Sequence, residues 1–343
     1  MSIPARTPLI DQLPLASPMS VHIFQSYYCN FRCNYCVHSL SAEQLCKMDF
    51  VKQTMPFETY ECAVNEFAKL PVPLKALIFA GYGEPLAHPR IADMVKLAKQ
   101  QNIAERVEIV TNGSLLTREM SDTLINSGLD RMRISLQGCD ADAYKRVCGF
   151  DVDFDKFVSN IEYFYLQKCE TDLYVKIIDI ALDEQNGEGK FHKIFDGISD
   201  TAAIEHLSPA MRLIDYDTLG GDLTLRKDTG QKAMSVNICA MPFYMVMIMP
   251  NGDVGGCCAL EAPVIFGNIL RESFGEIWNG NTRREFLRLQ IGGRWQNKCC
   301  AACNLPDYGT HDADYLDQYS NKLINLFGEK ILFRGGYKTR PKC

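Results

Sequence analysis

YCNFRCNYC, at positions 28–36, carries three cysteines, Cys29, Cys33 and Cys36, at the spacing C-x3-C-x2-C, directly after the extended apolar segment 21–24. Three thiolates on one short loop can bind three irons of a [4Fe–4S] cluster, whereas complete ligation by protein takes four. The stretch therefore predicts a cluster with one iron left open for another ligand.

Strand-like and helix-like runs alternate around this loop. The motif KALIFAGYGEP, at positions 75–85, is typical of a buried strand that ends in a glycine turn. The predicted strands are 21–25, 75–80, 106–110, 131–136, 173–180 and 202–206, and the predicted helices are 57–70, 89–101, 117–127, 155–168 and 189–197. This alternation predicts a parallel sheet with helical crossovers. Six units indicate an α/β fold, a partial (β/α)6 TIM-like barrel, whose reactive groups lie at the C-terminal edge of the strands.

Every candidate site residue of this half follows a predicted strand. The cysteine loop follows the first, Gly81 to Glu84 the second, Asn112 the third, and Ser135 stands at the end of the fourth. Because the carboxyl ends of parallel strands share one edge, we expect these residues to form one rim.

Composition narrows the class of protein. The 343 residues are 47% hydrophobic and 23% charged, and the net charge of -6 is spread without long runs of one sign, which argues against a nucleic acid or anionic membrane partner. The segment 1–20 contains Asp11 and four prolines where a signal peptide needs an apolar core. We expect a cytoplasmic protein, in which the clustered cysteines serve metal binding rather than a disulfide framework. The remaining six are expected to be inert thiols, namely Cys46, Cys62, Cys139, Cys148, Cys169 and Cys343.

The C-terminal third contains a second cysteine pattern. The spacing C-x12-G-x4-C, formed by Cys239, Gly252 and Cys257, predicts a β-hairpin with its turn at 250–253. Cys300 and Cys303 add a C-x2-C pair. Four sulfur ligands suit zinc or an iron–sulfur cluster. Cys258 and Cys299 duplicate two of the positions, and the spacing favours Cys257 and Cys300. The predicted division is an N-terminal extension at 1–20, the barrel at 21–206, a linker that contributes to the substrate pocket at 207–238, a small cysteine-rich hairpin and helix domain at 239–306, and a C-terminal helix with a tail at 307–343. The C-terminal helix is predicted over 312–327.

These motifs resemble the radical S-adenosylmethionine (SAM) enzymes. In that family the three cysteines bind the cluster, the residue matched by Tyr35 meets the adenine through its backbone, and a glycine-rich turn receives the SAM amino group. Tyr82 stands where a second glycine is common, and Glu84 either fixes the turn or contacts the amino group. The resemblance implies a SAM-binding set of Tyr35, Gly81, Tyr82, Gly83, Glu84, Asn112 and Ser135.

The C-terminal pattern resembles the twitch domain, a shortened relative of the SPASM domain, and implies one auxiliary [4Fe–4S] cluster bound by Cys239, Cys257, Cys300 and Cys303. A full SPASM domain has three further cysteines, and only Cys343 follows here. The resemblance implies reductive cleavage of SAM to a 5′-deoxyadenosyl radical, hydrogen abstraction from a small-molecule or peptide substrate, and a two-electron oxidation. An electron donor such as flavodoxin or ferredoxin is the implied partner.

Alternatives to this oxidation are a redox-neutral epimerase, with Cys139 or Cys148 returning hydrogen, and a non-catalytic metal-binding interaction protein. Oxidation also calls for a base. The candidates at strand ends are Lys176, Asp179, Glu205, His206 and Arg212, of which Lys176, Glu205 and His206 form the predicted catalytic set.

Overall fold

A computed structural model describes residues 6–48, 50–182, 186–211 and 213–328 of the chain. Arg212 and Cys343 lie outside the described residues. The strands are β1 Ser20–Ile23, β2 Ala76–Phe79, β3 Val107–Thr111, β4 Arg131–Leu136, β5 Asp172–Ile178, β6 Thr201–Glu205, β7 Met245–Ile248, β8 Asp253–Gly255 and β9 Ile265–Asn268. The α-helices are α1 Leu9–Gln12, α2 Ala42–Lys47, α3 Phe57–Phe67, α4 Ile91–Gln100, α5 Arg118–Asn126, α6 Ala141–Cys148, α7 Phe154–Gln167, α8 Gly187–Phe195, α9 Met241–Tyr244, α10 Phe274–Trp278, α11 Asn281–Gly292, α12 Lys298–Ala301, α13 Leu305–Gly309 and α14 Ser320–Phe327.

The first six strands form the parallel barrel that the alternation predicts. They pair in the order β6-β5-β4-β3-β2-β1, and β4 has the predicted bounds. Alternate side chains of β1 to β5, such as Val21 and Ile23 of β1, are buried in the main hydrophobic core with the helices. Strand residues of the other parity include Glu108, Arg133 and Lys176, which makes the concave face of the sheet charged.

Two helices that the sequence pattern did not reveal, α2 and α6, follow the cysteine loop and β4. Helix α6 has clear end signals, because the Asp140 carboxylate accepts from the Ala143 amide at its start and Gly149 ends it with a φ of 65°. Carbonyls of its last turn accept from the cysteine loop, Cys148 from the Arg32 amide at 3.0 Å and Val147 from the Asn34 amide at 2.9 Å. The helix therefore holds the loop in place.

The C-terminal hairpin continues the barrel sheet. Strand β7 pairs in parallel with β1, on the edge opposite to β2, and β8 and β9 then add antiparallel strands. The predicted turn is confirmed, since β7 ends at Ile248, β8 begins at Asp253, and Gly252 has a φ of 84°. The two halves thus share one nine-stranded sheet among the described residues.

The tail departs from the prediction of one helix over 312–327. The structure has 3-10 turns at Asp312–Asp314 and Asp317–Tyr319, and only Ser320–Phe327 is α-helical. The Asp317 carboxylate accepts from the Asn237 and Ile238 amides, and this tertiary contact interrupts the helical pattern. In the part of the chain that the structure describes, no helix is long and apolar enough to cross a membrane.

Candidate functional site

The cysteine loop stands at the C-terminal edge of β1 and is anchored by its own aromatic residue. Phe31 is buried and packs its ring against Tyr144 and Phe150, with centroid distances of 6.0 and 4.8 Å. Together with the backbone bonds to α6, this contact fixes the loop on which Cys29, Cys33 and Cys36 stand.

The thiols of the loop are close enough for one to raise the pKa of another. Burial raises the pKa of the Cys29 thiol to about 12, with the nearby Glu84 carboxylate and Cys36 adding to the effect. A hydrogen bond with Cys148 and burial raise the pKa of Cys33, and Cys36 and Cys29 contribute. Among the described residues, no three His, Cys, Asp or Glu side chains converge on a single metal ion. A cluster does not require such convergence, because each thiolate binds a different iron, so this loop fits a [4Fe–4S] cluster.

The glycine turn after β2 is shaped by close backbone approach. Gly81 has a φ of 113°, and a Cβ at Gly83 would lie 2.2 Å from the carbonyl oxygen of Ser26. Neither position accepts a side chain. The turn therefore presents main chain at the rim, next to the cysteine loop.

Glu84 fixes this turn, one of the two roles that the sequence left open. Its buried carboxylate accepts from the Leu86 amide at 2.9 Å, the Asn112 amide at 2.8 Å and the Thr111 hydroxyl. Burial raises the pKa of this carboxyl group. All of these donors belong to the protein, so Glu84 ties the second rim segment to the third.

Tyr82 links the turn to both cysteine groups. Its carbonyl oxygen lies 2.7 Å from His38 Nε2, just past the cysteine loop, and its hydroxyl donates to the Cys258 carbonyl at 2.9 Å. Its ring contacts Phe24 edge-on at 5.4 Å. The residue that departs from the common glycine pattern thus connects the glycine turn after β2 to the C-terminal cysteine segment.

Other rim residues brace the cysteine loop. The Asn112 amide nitrogen lies 3.0 Å from Asn30 Oδ1 and 3.9 Å from the Cys29 sulfur. Tyr35 donates to Gln137 Oε1 at 2.6 Å, and its carbonyl accepts from the Tyr216 hydroxyl at 3.2 Å. Tyr216 belongs to the linker after β6, and nothing in its sequence context marked it as a site residue.

The predicted catalytic residues fall into two groups, of which the first is an ion pair in the barrel. Lys176 is the register partner of Ser135 on the neighbouring strand and donates to the Glu205 carboxylate at 2.5 Å. Burial lowers the pKa of Lys176 to about 7. Burial alone would raise the pKa of Glu205, but the charges of Lys176, Lys227 and Arg133 hold it at about 2.

His206 forms the second group with Asp179. The imidazole Nδ1 lies 3.0 Å from the Asp179 carboxylate, which also accepts from the amides of Ile180 and Leu207. Asp179 lines a cavity of about 540 Å³ at the end of β5, together with Arg146, Ile180, Leu182, Leu219, Gly220 and Gly221. The linker supplies the last three of these residues, in line with its predicted contribution to a pocket.

The C-terminal cysteines gather around one cavity. Cys239, Cys257, Cys300 and Cys303 all line it and are free thiols, whereas Cys299, which also lines it, is disulfide-bonded. Burial raises the pKa of Cys300 to about 12, and its neighbour Cys303 contributes. Four free thiols around a shared space are a donor set that fits a fully ligated cluster.

Two residues that sequence reasoning missed hold the C-x2-C loop. Arg294 donates to the carbonyls of Cys300, at 2.7 Å, and Cys303, and pairs with Asp307 at 2.8 Å. Gln290 places its amide nitrogen 3.5 Å from the Cys300 sulfur. A glutamine on the buried face of an amphipathic helix is the signal that could have drawn attention to this position.

Comparison with protein families gives two matches that coincide with these two sites. Residues 23–187 match the Radical SAM superfamily, and residues 239–304 match the SPASM iron-sulfur cluster-binding domain. The first match implies SAM and a [4Fe–4S] cluster as cofactors, and the second implies auxiliary iron–sulfur binding.

Curated relatives catalyse different reactions. GTP 3',8-cyclase of Chlorobaculum tepidum is 33% identical over 37% of this chain and 35% of its own length, so the match spans about a third of that relative. AdoMet-dependent heme synthase of Methanosarcina barkeri is 25% identical over 74% of this chain and 83% of its own. PqqA peptide cyclase of Xanthomonas euvesicatoria is 23% identical over 83% and 80%.

Solved structures share the fold. BtrN in complex with AdoMet and 2-DOIA aligns with a TM-score of 0.56 and 18% identity over 87% of this chain and 97% of its own. Streptococcus suis SuiB bound to S-adenosylmethionine aligns with a TM-score of 0.60 and 15% identity over 92% and 77%. Fold, rim and family matches agree, and the chain belongs to the radical SAM superfamily, with an iron–sulfur cluster-binding domain of the SPASM type at its C-terminus.

Proposed function

We propose that this chain is a radical SAM oxidase that removes two electrons from an alcohol carbon or from a peptide residue. When bound, the SAM-side cluster supplies the electron that splits SAM into methionine and a 5′-deoxyadenosyl radical, and the auxiliary cluster accepts the second electron of the substrate. Cys29, Cys33 and Cys36 would hold the first cluster.

The gathering of four free thiols, Cys239, Cys257, Cys300 and Cys303, around one cavity carries this proposal. A cluster with four protein ligands has no open iron for substrate, which suits it to electron transfer. The Tyr82 hydroxyl bond to the Cys258 carbonyl places this domain directly against the SAM-type turn. A substrate held at the rim would thus have an electron acceptor beside it.

The rim residues have separate roles in this reaction. Gly81 and Gly83 would offer main chain to the SAM amino group, and Tyr35, Asn112 and Ser135 would hold the nucleoside. These assignments follow the family pattern and the shared rim position.

Lys176 is the group that we assign as proton acceptor. Oxidation of a carbon radical that bears a hydroxyl proceeds more easily once the hydroxyl proton is lost, and a base with a pKa near the working pH suits that step. Burial brings the pKa of Lys176 to about 7, whereas Glu205, with a pKa of about 2, is too weak a base and serves to position the lysine. His206, held by Asp179, which lines the cavity at the end of β5, would contact the substrate.

Oxidation removes a hydrogen atom, a proton and an electron from the substrate. The group held by Cys29, Cys33 and Cys36 would supply the radical that takes the hydrogen atom, Lys176 would accept the hydroxyl proton, and the group held at the auxiliary site would take up the remaining electron. One external electron per SAM starts the cycle, and a small carrier such as flavodoxin or ferredoxin would supply it. The evenly spread net charge of -6 argues against a nucleic acid substrate or partner.

The test combines product mass with deuterium tracing. The reconstituted enzyme is given reductant, SAM and two panels of probes, amino-alcohol cyclitols and short peptides, each deuterated at the candidate carbon. We expect deuterium in 5′-deoxyadenosine together with a product that has lost two hydrogen atoms. A product about one mass unit lighter than the deuterated probe, whose carbon has exchanged its deuterium for solvent hydrogen, would contradict oxidation and establish epimerisation.

A lysine variant separates abstraction from oxidation. In Lys176→Met we expect deuterium transfer to persist while the oxidised product falls at least tenfold, and the rise of product with pH through about 7 to be lost. An equal loss of both products would instead assign Lys176 to binding.

A further inference from the structure

Gln290 is an amide buried where the helix pattern calls for an apolar residue. It stands near the C-terminus of α11, its side chain is 0% exposed, and its neighbours Phe286, Leu289 and Ile291 are all buried. The helix is itself fixed, since the Phe286 ring packs against the Phe266 ring of β9 at a centroid distance of 6.1 Å. The amide thus occupies a rigid position in a dry environment.

The amide faces the thiol cavity of the C-terminal domain. Gln290 lines the same cavity as Cys239, Cys257, Cys300 and Cys303, and its Nε2 lies 3.5 Å from the Cys300 sulfur. Its Oε1 is buried and has no hydrogen-bond partner among the described residues. A buried amide that lacks its bonds is costly, so the contact with sulfur is the favourable interaction that this side chain makes there.

The contact is chemically suited to a metal-bound thiolate rather than to a free thiol. A thiol sulfur is a weak acceptor, whereas a thiolate accepts strongly because charge-assisted hydrogen bonds are roughly twice as strong as neutral ones. The nitrogen is the end that faces a thiolate, since the amide oxygen would be repelled by it. The side chain is therefore built to donate to the Cys300 sulfur when a cluster is bound.

We propose that Gln290 is a positioning and tuning residue of the auxiliary cluster, which raises the reduction potential of that cluster by an N–H···S hydrogen bond to Cys300. A donor at a ligand sulfur stabilises the reduced cluster, which carries one more electron and one more negative charge, more than the oxidised cluster. No proton moves in the step. This inference rests on the proposed function, in which the auxiliary cluster must accept an electron from the substrate radical.

The test is a potentiometric titration of the reconstituted holoenzyme, followed by electron paramagnetic resonance. The variant is Gln290→Met, which keeps an unbranched side chain of similar length and lacks the donor. The SAM-side cluster in the same chain is the internal reference, because its signal changes when SAM is added. We expect the auxiliary potential to become more negative and the reference potential to stay the same.

A second variant and a composition check make each outcome decisive. Gln290→Leu is similar in volume and has no donor, so it should also lower the auxiliary potential, while iron analysis shows whether either variant keeps the cluster. An auxiliary potential that is unchanged in an iron-replete variant, or that moves equally with the reference, would overturn the role of Gln290. A parent enzyme without an auxiliary signal would instead overturn the proposed function.

Discussion

Replacing Glu205 with glutamine would show how much the buried charge pairs inside the barrel contribute to the free energy of unfolding. The Glu205 side chain is 2% exposed and lies 2.5 Å from Lys176, 3.2 Å from Lys227 and 3.6 Å from Arg133. Glu205→Gln keeps the shape but removes the charge that all three cations face. The cations then remain buried or partly buried without their shared counter-ion.

The expected loss in the free energy of unfolding follows from this burial. Breaking a buried ion pair by removing one partner costs about 3–5 kcal/mol, because the other charge is left uncompensated. A matched control is Glu43→Gln, whose pair with Lys47 is solvent-exposed at 78% and 68% of the side-chain areas. That substitution should cost about 0.5 kcal/mol or less.

Glu205→Gln and its control also test how the free energy of unfolding depends on pH. The pKa of Glu205 is lowered from 4.5 to about 2 in the folded chain. The unfolded state therefore binds more protons in that interval, and the stability that the carboxylate contributes is complete above pH 4.5 and is lost as pH falls toward 2. In Glu205→Gln this acid-dependent portion should be absent.

The assay is urea unfolding of the anaerobically purified chain, followed by circular dichroism at pH 7 and at several pH values below 5. A loss for Glu205→Gln no larger than that for the Glu43 control would refute the buried-pair reasoning. So would an acid dependence that is unchanged by the substitution.

Two further substitutions test the geometry of the rim. Gly83→Ala should weaken SAM binding about 5- to 150-fold in calorimetry, since its Cβ would meet the Ser26 carbonyl oxygen at 2.2 Å and overpacking costs about 1–3 kcal/mol. Gly197→Ala, with no atom within 4 Å of its Cβ, should bind like the parent, and equal affinities of the two variants would contradict the clash. Tyr82→Phe removes one hydrogen bond, the one to the Cys258 carbonyl, and should lower the free energy of unfolding by about 0.5–1.5 kcal/mol. SAM affinity should stay unchanged. Unchanged stability would show that this hydrogen bond contributes nothing.

The strands and their shared rim could be predicted because short apolar runs bounded by turn residues have few alternatives. The bounds of β4 were predicted without error, and β1 to β3 were displaced by one or two residues. The pairing of β7 with β1 was not predictable, because it joins Ser20 to Met245 and no local pattern specifies a partner so distant in sequence.

Roles that depend on contacts in the folded chain could not be predicted from the sequence. Cysteine spacing marked the predicted ligands, yet it gave no reason to single out Tyr216, Gln290 or Arg294. Tyr216 contacts the cysteine loop from 181 positions away, and Gln290 and Arg294 contact Cys300 only because the chain turns back between the helix and the C-x2-C pair. The prediction of one helix over 312–327 was wrong for the same reason, since the Asp317 carboxylate accepts from backbone amides about eighty positions earlier and the helix does not extend through it.

The central claim is that this chain holds two [4Fe–4S] clusters, and iron and labile sulfide per chain after anaerobic reconstitution test it most directly. The parent should bind about eight irons and a Cys239→Ala/Cys257→Ala variant about four, because one cluster is lost while the cluster at Cys29, Cys33 and Cys36 stays. About four irons together with zinc in the parent would contradict the claim, make the C-terminal domain structural, and move the redox-neutral reaction to first place.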